Sequence, residues 1–468
     1  MKNVIGFFEI YLPYIIFSFA AAFILQIDQT FVNMAIFAVV FIALIYLLLA
    51  KKHFLLTIFL ALTVAFSSEF AHLGIKIGNS SLYVTEILIA FCVLGIAAQF
   101  IIKSRYTFTK YPLTKEFMLF YAVMILSLAR GMLHYEDKVF VIRQSAMYYY
   151  SIFYFLIPLF FTKLEHIETL FKYILAAIVL ITLGDLLDFT FWGLGGFNYF
   201  YSSLALVFVF SYISLVKTKN VNLWKVFIAM ELLLVLLSTV RASWFGLLIA
   251  LAFILSNSDK YEHFRKVFLY VLKYSIYLGL AGFIALAVVK PAKMLEVVDE
   301  IYSVLPIPGH VKNESDNNTK WRLIVWKDSI VEVMEQPLFG MGFGKKFIPE
   351  TIKKMGWGGS WRDDEKGFQD PHNALVSILY RTGLIGLFAF LLIIYNFTIR
   401  TLRVLKETAD PKIKAYIFAL LICMLTVLTT SCFMVILEGP FMGIFMWVSM
   451  ALIVALENIN KGAKIKNA

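Results

Sequence analysis

Charge and cysteine are both scarce in this 468-residue chain. Asp, Glu, Lys and Arg make up 16% of it, against about a quarter in a soluble globule. There are three cysteines, Cys92, Cys423 and Cys432, and each falls inside an apolar run. That argues against a disulfide framework and against a thiolate metal site. Alternating segments of about ten residues, which would mark a membrane β-barrel, are absent, and so is any internal repeat. Acidic residues are fewer than basic ones, and the net charge is +11. In so apolar a chain the basic excess reads as cytoplasmic loops facing anionic lipid, not as a nucleic-acid footprint.

What the sequence has in abundance is apolar length. Hydrophobic residues make up 61% of it, with a mean hydropathy of +0.81. Runs of about 20 apolar residues, each long enough to cross a bilayer as a helix, recur from end to end. Candidate spans fall near 4–25, 30–49, 54–71, 82–102, 116–133, 146–162 and 169–190. They continue near 199–216, 223–239, 242–257, 265–289, 373–397, 413–435 and 440–457. The first run contains a signal-like "FAAAF" but is longer than a signal core and carries Glu9 and Pro13, so it reads as an uncleaved span. The expected fold is an all-α polytopic membrane protein of about 12–14 transmembrane helices. Residues 1–289 would form an N-terminal helix bundle and 290–372 one large, partly helical outside loop. Residues 373–468 would form the C-terminal transmembrane helices.

Charge gives the orientation. With the N-terminus in the cytoplasm, the short outside loops hold only Lys76, Arg130, Lys138, Arg143 and Arg241 of the 42 Lys and Arg. Most of the rest lie in cytoplasmic connections, as the positive-inside bias requires. Both termini come out cytoplasmic, and the 290–372 segment faces outward.

That segment is too long to be a plain connection, and it is rich in tryptophan: Trp321, Trp326, Trp357 and Trp361. In "TKWRLIVWKDSIVEVMEQPLFGMGFGKKF", Leu323, Trp326, Ile330, Val333 and Met334 are spaced for one face of a helix ending before Pro337. With its tryptophans this helix suits the membrane surface, either as a bland cap or as part of a site. The "PLFGMGFG" that follows is neither a dinucleotide fingerprint nor a phosphate loop. Gly340, Gly342 and Gly344 suit a tight turn or a close approach of backbone to a ligand.

Several side chains on the outside face carry chemistry. Arg241 ("LLSTVRASWFGLL") sits in a connection of a few residues, where its guanidinium either snorkels or turns inward as a fork that fits phosphate. Arg143 and Arg130 share that face. His372 follows an Asp370-Pro371 turn, and Asn373 is placed to cap the next helix. An imidazole there, with an ordinary pKa near 6.5, can accept a proton at neutral pH. Arg381 is about 13 Å further along that helix. A charge at that depth is either functional or paired with Glu231 or Glu86, which also lie in apolar runs. No metal site is convincing: in "RDDEK", Asp363, Asp364 and Glu365 are flanked by Arg362 and Lys366 and read as a self-neutralising, solvated stretch.

Taken in order, "TVRASW", "WRLIVW…PLFGMGFG" and "HNALVSILYRTGLIG" resemble the O-antigen ligase/O-antigen polymerase superfamily over roughly residues 235–395. The resemblance implies a GT-C-like membrane glycosyltransferase of the bacterial inner membrane, active on its periplasmic side. The donor would be a glycan on undecaprenyl diphosphate, and the acceptor lipid A–core or another glycan, with membrane lipids as surroundings. No cofactor or metal is implied, and no nucleic acid. Carried over, Arg241, Arg322 and His372 would be catalytic, the two arginines on the diphosphate and the histidine at the reaction centre. Arg143, Arg381, Asn373 and Trp326 would join Arg241 and Arg322 in binding diphosphate or glycan. Trp357, Trp361 and Tyr148 to Tyr150 are available to stack on sugars. Ligase and polymerase need the same donor site and stay open here. A flippase of lipid-linked glycans is the reading from another class, and the long outside loop counts against it.

Overall fold

The structure is a computed structural model, and it describes residues 52–71, 73–77, 80–90, 92–93, 111–187, 199–216, 221–237, 240–256, 277, 314–345, 371–439 and 442–466. The expected spans at 4–25, 30–49 and 265–289 therefore lie outside the described residues, apart from 277. So do Trp357, Trp361 and the "RDDEK" stretch.

Where the chain is described, the apolar runs are helices. In chain order these are α1 (Lys52–Ala71), α2 (Thr114–His134), α3 (Lys138–Gln144), α4 (Ala146–Tyr149), α5 (Phe153–Phe160), α6 (Leu164–Leu187), α7 (Tyr199–Leu215) and α8 (Val221–Leu237). Then come α9 (Arg241–Ser256), α10 (Glu314–Val333), α11 (Ala374–Glu407), α12 (Pro411–Ser431) and α13 (Ile444–Lys466). Five of them, α2, α6, α11, α12 and α13, contain stretches long and apolar enough to cross a membrane. This is an all-α polytopic membrane protein. The small departure is a hairpin after α1, in which β1 (Gly74–Ile77) pairs antiparallel with β2 (Ser80–Tyr83).

Local chemistry sets the helix starts. Asp137 caps α3 by accepting from Phe140 N at 2.9 Å. Asp410 caps α12 by accepting from Lys412 N and Ile413 N at 2.8 and 3.1 Å, with Pro411 in the first turn. The expected span 146–162 is composite: one 3-10 turn at Tyr150–Ile152 separates α4 from α5.

The core is aromatic. Phe117 and Phe120 of α2 stack at 4.5 Å on Tyr154 and Tyr148, and Phe390 and the fully buried Trp447 close against them. Helices α7 and α9 pack on α12, which packs on α13, while α11 packs on α2 and α10. At one end Glu457 of α13 pairs with Arg400 of α11 and with Lys461, both at 2.6 Å.

Helix α11 is interrupted. Gly383 has φ 68° and ψ −167°, so the helix runs from Ala374 to Thr382, breaks, and resumes at Leu384. A break strands backbone groups, and each one unpaired in lipid costs several kcal/mol. Here the Gly-rich turn supplies the partners. Leu384 N and Ile385 N donate to Pro337 O and Leu338 O at 2.8 and 3.2 Å. Met341 N and Gly342 N donate to Tyr380 O and Arg381 O at 2.7 and 3.0 Å. The approach is so close that a Cβ on Gly383 would meet Leu338 O at 2.3 Å, and one on Gly340 would meet Gly383 N at 2.5 Å. Of the two readings of "PLFGMGFG", the turn takes the structural one: its backbone is spent on the break.

Candidate functional site

The break creates a short helix, 374–382, with His372 before its start and Arg381 in its last turn. Asn373 caps that start, its Oδ1 accepting from Leu375 N and Val376 N at 3.0 and 3.2 Å. The capping role foreseen for Asn373 is what its carbonyl oxygen does. His372, at φ 53°, is one of two non-glycine residues with positive φ among those described. A left-handed backbone at a histidine costs about 1–3 kcal/mol, so the surroundings hold it there.

Those surroundings come from α10. The Trp321 indole meets the His372 ring edge to face at 5.3 Å. Trp326 Nε1 donates to Pro371 O at 2.8 Å, which fixes the turn just before the histidine. Between these tryptophans Arg322 donates from Nη1 to Phe433 O at 2.8 Å, in the connection between α12 and α13. Arg322 and His372 are thus neighbours across the joint between α10 and α11. Burial pushes the His372 imidazole down to about 4, and the Arg322 charge beside it adds to the shift. At neutral pH it is uncharged, with a lone pair to offer.

Arg241 is the first residue of α9. One turn on, Phe245 stacks against Phe433 with ring centroids 5.4 Å apart, and Phe433 O is the acceptor for Arg322. Phe433 also meets Trp326 at 6.4 Å. Helix α9 thus reaches, through Phe245, the same Phe433 that Arg322 contacts.

The other arginines go elsewhere. Arg381 is 3% exposed and donates to Gln144 O at 3.4 Å, at the C-terminal end of α3, where a cation complements the helix dipole. Glu86 accepts from Tyr149 and Tyr150 at 2.8 and 3.3 Å, and Glu231 accepts from Thr182 at 2.7 Å. Arg143 lies 3.9 Å over the Tyr83 ring of β2, a cation–π contact. Arg130 donates to Phe339 O and Gly340 O at 3.2 and 3.1 Å and also to the Gln336 side chain, so it braces the glycine turn.

Two participants were missed in sequence. Gln144 Oε1 accepts from Gly344 N at 2.6 Å, locking the end of the turn, but an interior Gln at the end of a short helix carries no signal of it. Glu438 has both carboxylate oxygens buried, and its charge acts on Tyr148. The hydroxyl of Tyr148 shares a hydrogen bond with Thr382 at 2.7 Å. An acidic residue in a short connection between two apolar runs ("VILEGP") was the available sign. Among the described residues no cluster of His, Cys, Asp and Glu could hold a metal ion.

The corner built from α9, α10, α11 and the α12–α13 connection is amphipathic. It has two tryptophans, a cation, a neutral imidazole and a nearby helix start, all at one end of membrane helices. That suits an anionic group attached to a lipid. Residues 204–391 match the sequence model of the O-antigen ligase family, and that stretch contains Arg241, Arg322, His372, the glycine turn and Arg381. Over those residues the chain is similar to that family. No curated protein matches the chain.

Proposed function

From the similarity of residues 204–391 to the O-antigen ligase family, we propose that this protein transfers a glycan from undecaprenyl diphosphate to an acceptor sugar hydroxyl on the periplasmic side of the inner membrane. At the coarser level the family match supports an O-antigen ligase or polymerase type of membrane glycosyltransferase. The finer reading is a ligase with lipid A–core as acceptor, acting without metal and inverting the anomeric centre. A single observation carries it: a half-buried, uncharged His372 in a left-handed backbone, beside Arg322 at the mouth of a broken membrane helix.

In this reading the donor keeps its tail in the bilayer and its diphosphate at the surface. The acceptor hydroxyl oxygen attacks the anomeric carbon from the face opposite the diphosphate. The bond from that carbon to the diphosphate oxygen breaks, and its electron pair stays with the diphosphate. Arg322 and Arg241 stabilise the charge that grows there. The hydroxyl proton passes to His372, which is neutral and free to take it. Trp321 and Trp326 hold the imidazole and the preceding turn in place, and exclude water from one side.

The test is transfer in proteoliposomes with purified protein and an undecaprenyl-diphosphate-linked oligosaccharide. Label moving onto lipid A–core is the expected result. A ladder of longer lipid-linked chains with donor alone would make the protein a polymerase. Donor crossing the bilayer without either product would overturn the transferase reading in favour of a flippase.

A further inference from the structure

Helix α10 has two apolar faces, and the fold uses one of them. Val325, Ser329 and Val333 are buried on the side that packs on α11. On the opposite side Leu323 and Ile330, with Met334 in the turn that ends the helix, follow one another at i, i+7 and i+11 on a single stripe. All three are exposed, Leu323 by 56% and Met334 by 66%, and Val331 at the edge of the stripe is exposed as well. Lys327 is the one charged residue on this side. A lysine in such a place covers apolar surface with its stem and keeps its ammonium in water.

The stripe does not stop where α10 ends. Leu338 and Phe339 of the glycine turn are also exposed, and backbone bonds join them to the membrane helices. Ile385 N of α11 donates to Leu338 O at 3.2 Å, and Arg130 of α2 donates to Phe339 O at 3.2 Å. From that junction α11 turns Leu384, Phe388 and Leu391 outward, and α2 turns Ile125 and Leu126 outward. Both helices are long and apolar enough to cross a membrane, so these side chains face lipid. The exposed apolar surface therefore continues from the bilayer along α10 for about 16 Å, the rise of eleven residues. It ends at Leu323, the residue after Arg322.

An extended apolar surface on a loop outside the membrane marks a binding surface. Here one end merges with lipid and the other ends at a cation. An amphiphile with a long apolar tail and an anionic head fits both ends. A protein partner would need neither the continuity with lipid nor the arginine, and a bulk phospholipid has no reason to stop at Arg322.

We propose that the outer face of α10, from Leu338 to Leu323, carries the isoprenoid tail of the lipid-linked donor from the bilayer to the transfer site, with the diphosphate on Arg322. This rests on the transfer reading above and adds where the tail lies. The isoprene units nearest the diphosphate lie along Leu323, Ile330 and Met334, and the rest of the tail stays in lipid. Covering the stripe removes apolar surface from water, a gain that a diphosphate without a tail does not have.

The experiment is equilibrium binding to the purified protein in lipid nanodiscs, with undecaprenyl diphosphate and inorganic diphosphate as the two probes. The wild type should hold the lipid form more tightly. Ile330→Gln combined with Met334→Gln should weaken undecaprenyl diphosphate about tenfold and leave inorganic diphosphate as it is in the wild type. Both side chains are exposed, so the thermal midpoint should be kept. Ile330→Leu combined with Met334→Leu should bind both probes as the wild type does. Unchanged binding of the lipid form in the glutamine pair would overturn the proposal and leave the transfer reading standing. So would equal competition by phosphatidylglycerol, which would make the stripe a seat for bulk lipid. If neither probe bound the wild type, the donor reading and this inference would fall together.

Discussion

His372 is a weak base by its surroundings, and that has consequences for pH. In the unfolded chain an imidazole takes its proton near 6.5, whereas the folded protein holds His372 near 4. Between those values the unfolded state binds more protons. The contribution to stability is therefore complete above about 6.5 and is lost as the pH falls toward 4. Activity should follow the folded value: the acid limb of kcat/KM is expected near 4, not near 6.5. A bound diphosphate would offset the Arg322 charge, so the limb in kcat should lie at higher pH than the limb in kcat/KM. Coincident limbs near 6.5 would mean that the imidazole is not the base. His372→Ala and Arg322→Ala should abolish transfer while the protein still inserts and folds. Arg241→Lys should lose about 100-fold or more in kcat, the scale of losing one donor to a developing charge, because a lysine cannot form the two-pronged contact. Near-normal turnover in Arg241→Lys would remove Arg241 from the diphosphate.

The helix start and the helix break make separate demands on α11. Asn373→Ala removes the cap and should cost about 1 kcal/mol. Asn373→Asp retains the cap, so its thermal midpoint should match the wild type, yet it adds a negative charge beside the diphosphate and should weaken donor binding. If Asn373→Asp bound donor normally, the residue would be a cap and nothing more. At the break, Gly383→Ala forces a side chain into a left-handed backbone and against Leu338 O. A loss of about 2–3 kcal/mol is expected, read as a drop in thermal midpoint. Little change would mean that the turn relaxes more freely than its four backbone bonds suggest.

These elements differ in how legible they were. Capping at Asn373 could be read because Asp370-Pro371 turns the chain and Asn is a strong cap. The break could not. In "RTGLIG", Gly383 looks like a glycine tolerated within a span, and its partners lie some 40 residues away in sequence. Backbone pairing of that kind leaves no periodicity. For the same reason nothing in the sequence showed that Arg130 holds the turn. Arg143 gave no sign of its Tyr83 partner, which sits on a hairpin the hydropathy did not suggest.

At the scale of the molecule the membrane layout was the most legible feature, because lipid imposes helices of a set length. The runs at 116–133, 199–216 and 413–435 fall within a few residues of α2, α7 and α12. Orientation makes its own prediction. In cells, Glu335→Cys should react with an impermeant thiol reagent added outside, and Lys461→Cys only after permeabilisation. The reverse pattern would turn the protein over and put Arg322 and His372 on the cytoplasmic face. The clamp between the glycine turn and the break has one more consequence. It pins the chain at 337–342 and again at 380–385 with main-chain atoms, so the setting of α10 against the first half of α11 rests on bonds that a change of side chain at Leu338 or Tyr380 does not remove.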